Sequence, residues 1–100
     1  MRTITLAAAF ALLAVPAFAD TPWTAAPVQP SSQTGFVANT VVWNCGASGC
    51  VSASETSDAD AMDECTGLTR QLGPVSSFTA GKEVFDAAHL ARCNSVAKKH

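Results

Sequence analysis

Four cysteines, Cys45, Cys50, Cys65 and Cys93, set the tightest limit on what this 100-residue chain can fold into. Their number is even, and the chain is too short to bury a large core, so covalent cross-links are the expected source of rigidity. Four cysteines allow three pairings. In the loop-entropy picture, a bridge from Cys45 to Cys50 contributes about 2 kcal/mol and one from Cys65 to Cys93 about 3.5 kcal/mol, and the longer-range pairings somewhat more. Energetics leaves the choice open. The glycine-flanked turn "CGASGC" brings Cys45 and Cys50 together without tertiary help, which leans towards Cys45–Cys50 and Cys65–Cys93.

Disulfides need an oxidising compartment, and the N-terminus reads as the route to one. Met1-Arg2 gives a positive start, and Ile4 to Val15 is apolar apart from Thr5. Pro16 then breaks the run, and Ala17-Phe18-Ala19 fits a small-x-small cleavage signal. Residues 1–19 are expected to be a Sec-type signal peptide cut between Ala19 and Asp20. About a dozen apolar residues span roughly 18 Å as a helix, against a hydrocarbon core of ~30 Å. No stable membrane anchor is therefore expected after cleavage, and the location is expected to be periplasmic or secreted.

Cleavage would leave 81 residues, with five basic side chains against eight acidic ones, a net charge of −3. A mildly acidic chain has no basic stripe, so nucleic acid is not an expected partner. Residues 20–35, with Pro22, Pro27 and Pro30 among small polar residues, read as a flexible leader. Trp23 is the exception there, a large ring that docks on the domain or on a partner.

Residues 36–97 read as a small α+β domain with elements in the order ββαβα, and residues 98–100 as a solvated tail. "FVANTVVWNC" is rich in β-branched and aromatic residues, with Val41, Trp43 and Cys45 on one face and Val42 and Asn44 on the other. "GASG" then serves as a four-residue connection into "CVSAS". Ala61, Cys65, Leu68 and Leu72 share one helical stripe, with Ser57 as N-cap, acidic residues at the start and Gly73-Pro74 as the stop. "PVSSF" is a third strand and "TAGKE" a turn. Val84, Ala88 (or Ala87), Leu90 and Cys93 mark the second helix. Gly67, off the stripe inside the first helix, has no evident reason.

No constellation carries chemistry. Zinc needs four close soft ligands kept reduced; only Cys45 and Cys50 are close, with His89 near Cys93 on the second helix. A redox thiol wants Cys-x-x-Cys at a helix N-terminus, not Cys-x4-Cys in a turn. Asp58, Asp60, Asp63 and Glu64 lack the glycine and glutamate offsets of a calcium loop and are favoured at a helix start without a ligand. Asp86 and His89 lie three apart and can pair on a helix surface, but no nucleophile elbow accompanies them. Trp43, Phe78 and Phe85 read as core. No catalytic, metal or cofactor-binding residue is assigned, and no cofactor is expected.

Together, "VVWNCGASGCVS", "ECTGLTRQLGPVSSF" and "HLARCN" resemble a family of small exported four-cysteine proteins of alphaproteobacteria. Its pattern is W-x-C-x4-C, a cysteine-bearing helix running into GPV-x-SF, and a closing L-x-x-CN. The likeness covers Val41 to Asn94. Its one departure is "LTRQL", where a more basic, alanine-rich helix is usual. The resemblance implies export and a four-cysteine core, and no activity. The expected role is a non-enzymatic structural or interaction module, meeting an envelope or periplasmic protein through its leader or its acidic helix face. The alternative is a thiol-redox or metal-binding periplasmic protein using Cys45 and Cys50.

Overall fold

The alternation along "VVWNC" is realised as a strand with one face inside: Val41, Trp43 and Cys45 are buried, Val42 half-buried and Asn44 exposed. The computed structural model describes residues 21–99. The signal segment 1–19, its Ala19–Asp20 cut and His100 lie outside the described residues. The chain runs β1 (Thr24–Pro27), β2 (Phe36–Ala38), β3 (Val41–Gly46), β4 (Gly49–Ser52), α1 (Ala61–Leu72), β5 (Val75–Ala80), β6 (Glu83–Val84) and α2 (Ala87–Asn94). The strands form one antiparallel sheet of order β2-β3-β4-β1-β5-β6. Both helices cover the face carrying Ala25, Val41, Trp43, Val75 and Phe78, which gives a two-layer α+β fold.

Each helix is begun by an aspartate. Asp60 caps α1 by accepting from the Asp63 amide at 3.0 Å, and Asp86 caps α2 by accepting from the His89 amide at 2.9 Å. The cap of α1 is thus Asp60, three residues after Ser57. Cys65, Leu68 and Leu72 are the buried stripe of α1. Its end is set by Gly73, whose positive φ of 93° lets its N–H return to the Thr69 carbonyl. At the end of α2, Asn94 grips β5. Its Oδ1 accepts from the Val75 amide and its Nδ2 donates to the Val75 carbonyl, both at 2.9 Å.

Four further sequence expectations change. The leader over 20–35 contributes β1, which lies between β4 and β5 near the middle of the sheet. Its prolines flank the strand instead of interrupting it: Pro27 takes the last position, where the register shifts, and Ala25 pairs with both Cys50 and Phe78. The segment beyond is tied as well, by Val28 donating to the Pro74 carbonyl and Cys45 to the Gln33 carbonyl. The run "FVANTVVWNC" is two strands, broken where Asn39 adopts φ 57°. The "GASG" connection is two residues long, because Gly46 and Gly49 pair with each other. Finally, "TAGKE" is a hairpin turn at Gly81 (φ 65°) that places Val84 in β6 and starts the second helix only at Ala87. The element order is ββββαββα, and the 98–100 tail begins with a held residue, the Lys98 amide donating to the Thr69 carbonyl at 2.8 Å.

Gly67 acquires a reason. It lies where α1 crosses the β2–β3 turn, and a Cβ there would come within 3.1 Å of the Asn39 amide nitrogen and 3.3 Å of the Ala38 carbonyl carbon. Alanine is favoured over glycine in a helix by about 1 kcal/mol, yet overpacking against fixed backbone costs about 1–3 kcal/mol. Gly67→Ala is therefore expected to lower stability, despite its better helix propensity. Urea unfolding of the oxidised protein reads the sign, and a midpoint above that of the parent chain would refute the close-approach account.

Candidate functional site

The acidic run ahead of and into α1 divides by position. Asp58 and Asp63 are exposed and Asp60 is the cap, whereas Glu64, one turn into the helix, is completely buried. An isolated buried carboxylate is costly unless hydrogen-bonded, and Glu64 is served by three donors. Its Oε2 accepts from the Thr40 amide at 2.8 Å and the Thr40 hydroxyl at 3.0 Å, and its Oε1 accepts from the Trp43 indole N–H at 3.3 Å. The first-turn position adds the favourable end of the helix dipole. Among the described residues, no group of three or more His, Cys, Asp or Glu side chains converges as a metal site would.

The cysteines form two disulfides, Cys45–Cys50 between β3 and β4 and Cys65–Cys93 between α1 and α2. Cys45 and Cys50 are only 7% and 3% exposed, and Cys65 and Cys93 are wholly buried, so none offers an open sulfur to an attacking thiolate. Trp43 is in the core, tilted against Phe78. Trp23 docks on the domain, 8% exposed and edge-on to the same Phe78 ring at 6.2 Å. Asp86 and His89 meet on the surface, Oδ1 to Nδ1 at 2.8 Å, and the His89 ring also packs on Phe85. The His89 amide, and then the His89 ring, hold the Asp86 carboxyl below its ordinary range, against a small opposing effect of burial.

Two surfaces remain. One is the sheet face away from the helices. The register places Thr24, Ala26, Val37, Val42, Asn44, Val51, Ser77, Thr79 and Val84 there, and none is charged. Val37, Val51 and Val84 are among the exposed large apolar residues. The other is a groove of about 330 Å³ on the helix side, between the start of α1, the β5–β6 hairpin and α2. Trp23, Met62, Ala80 and Phe85 supply its apolar lining, and Asp60, Glu83, His89 and Arg92 its charged or ionisable rim.

A family model matches residues 8–95, which takes in the described fold to the end of α2. The chain belongs to the DUF8200 family, a family of unknown function. No curated protein and no solved structure matches it.

Sequence reasoning kept Glu64 with its acidic neighbours and passed over Glu83 and Arg92. Glu64 differs from them only by lying one residue before Cys65 on the inward side of α1, a weak signal. His89 and Arg92 carry a stronger one, a spacing of three that puts them on one side of α2, with Phe85 just ahead of that helix.

Replacing Glu64 tests the network. Glu64→Ala would strand the buried Trp43 indole N–H without an acceptor, at a cost of about 1–3 kcal/mol, and would remove both bonds from the exposed Thr40. Glu64→Gln keeps the shape but offers one oxygen and a donating NH2 where both sides need an acceptor. Both variants are expected to unfold at clearly lower urea, and a Gln variant as stable as the parent would refute the account. At α2 the sign of the pH effect is fixed. The folded Asp86 carboxyl sits below its unfolded value, so its stabilisation is present above the ordinary carboxylate range and is lost as pH falls through the folded value. The stability gap between the parent and Asp86→Ala should close on acidification, and a gap unchanged from neutral pH to pH 2 would contradict the cap.

Proposed function

We propose that this chain is an exported, disulfide-stapled interaction module of the periplasm or extracellular space, with no catalytic chemistry of its own. The observation that carries the reading is where the reactive groups lie. All four sulfurs are closed into two largely inaccessible disulfides, Glu64 is fully engaged in the core, and Asp60 and Asp86 cap the helices. What stays available is surface, above all the uncharged sheet face with Val37, Val51 and Val84. An uncharged face that exposes three large apolar side chains among hydroxyls and one amide is the surface best suited to contact. Two disulfides fit an oxidising compartment, and the apolar run before Asp20 supplies the export signal. The resemblance of the W-x-C-x4-C, GPV-x-SF and L-x-x-CN motifs to those of small exported alphaproteobacterial proteins supports the same reading.

The test is intact mass after alkylation, with and without prior reduction, on protein recovered from a bacterial periplasm. The expected chain begins at Asp20 and takes up alkylating reagent only after reduction. Two thiols reacting before reduction, or a metal-sized increment in native mass, would bring the thiol-redox or metal-binding reading through Cys45 and Cys50 to the front. A photo-crosslinking residue at Val37 or Val84 then reads the interaction. Adducts are expected from the sheet face and not from Arg70 on α1, and a sheet face without adducts in cells that produce the protein would sink the proposal.

A further inference from the structure

We propose that the groove between α1, the β5–β6 hairpin and α2 binds a small zwitterion with an apolar body, of the size of an aliphatic amino acid or a dipeptide. The site lies on the helix side of the sheet and stands whether or not the opposite face meets a protein.

Trp23 is the first reason. The register sets Thr24 against Thr79 and Ala25 against Phe78, so Trp23 lies beside Ala80 on the inner face, at the open end of the sheet. The residue is only 8% exposed, yet its indole N–H finds no acceptor among the described residues. The Nε1 atom lies 3.7 Å from where a Cβ on Gly81 would stand, at the turn whose flanking residues Ala80 and Glu83 line the groove. A buried indole N–H ordinarily has a hydrogen-bond partner. The other tryptophan obeys the rule, since the Trp43 indole donates to Glu64.

The rim is the second reason. Arg92 on α2 and Glu83 on β6 make no side-chain ion pair or hydrogen bond among the described residues, although both line the same groove. The acid of Asp60 also borders it, with only one oxygen engaged by the helix cap. A simple anion would meet two carboxylates, and a simple cation would meet the guanidinium. A zwitterion satisfies both. Its carboxylate accepts from Arg92 and the Trp23 indole N–H, its ammonium donates to Glu83 and Asp60, and its apolar part rests on Met62 and Phe85. A volume of about 330 Å³ lies at the small end of ligand sites, which limits the guest to one or two residues.

The experiment is a nitrogen-15 NMR titration of the oxidised, exported chain with L-leucine. The two indole signals are assigned by a Trp23→Phe variant. The Trp23 indole signal is expected to shift saturably, with a millimolar midpoint, while the Trp43 indole signal stays in place. 4-Methylpentanoate, which lacks the amine, and 3-methylbutylamine, which lacks the carboxylate, are each expected to bind about tenfold more weakly, as are the Arg92→Gln and Glu83→Gln variants. Both substitutions are at rim side chains without partners among the described residues, so the fold is expected to be retained, and circular dichroism checks it. No saturable Trp23 shift, equal response to the two single-charge analogues, or undiminished binding by both rim variants would each overturn the proposal.

Discussion

The carboxylate of Glu64 is the joint on which the two layers depend. It is buried without an ion pair among the described residues, and what makes that tolerable is three donors from the β2–β3 hairpin, two on Thr40 and one on the Trp43 ring. Those bonds fix three things together: the turn at Asn39-Thr40, the orientation of the largest core side chain, and the height of α1 above the sheet. The absent side chain of Gly67 is the counterpart, since it lets the helix approach the same turn closely enough for the carboxylate to reach. A longer contact at Gly67 and an unanswered Thr40 amide would be one and the same defect.

Around that joint, the remaining ties link elements distant in sequence. Cys65–Cys93 and the bond from the Thr69 hydroxyl to the Cys93 carbonyl hold α2 to α1, and Asn94 holds the end of α2 to β5. Phe78 lies between Trp23, Trp43 and Phe85, so one ring joins β1, β3 and the approach to α2. The GPV and CN portions of the sequence pattern therefore have a physical reading. Val75, directly after Gly73-Pro74, is the residue that Asn94 grips with both ends of its amide. A chain of this size gains little from area alone, and here the gain is concentrated in a few long-range links.

Much of this was legible in the residues, and the gaps have causes. Alternation exposed the inner face of β3, and helical spacing exposed the Cys65–Leu68–Leu72 stripe, because bulky side chains at those positions have no other place to go. β1 was hidden because its apolar members are alanines, with weak strand preference, set between prolines that read as leader. The pairing of β1 is legible only from its partner: a Cβ on Gly49 would lie 2.8 Å from the Ala25 carbonyl oxygen, so β4 needs a glycine where β1 passes. The break at Asn39 left only an asparagine as a signal. Glu64 and the groove residues Glu83 and Arg92 were illegible for a deeper reason. A charged side chain on a helix or strand looks the same in sequence whether it faces water, a buried donor or a cavity, and only the tertiary neighbours tell these apart.

The edges of the sheet sharpen the question of which surface is used. Free edges invite further strands, but β2 is three residues long and β6 two, and the Val37 carbonyl is taken by the Gln71 amide at 2.7 Å. Addition of a strand is thus poorly served at both ends. The broad uncharged face is different: its valines and threonines are β-branched, stiff, and already ordered by the ladder beneath them, so covering them costs little side-chain entropy. Contact through the face and not the edge follows from the same feature that shortens the outer strands, the early turns at Asn39 and Gly81. The Gly81 turn also ends the β5–β6 hairpin beside Trp23, so that one chain reversal bounds both the outer face and the groove.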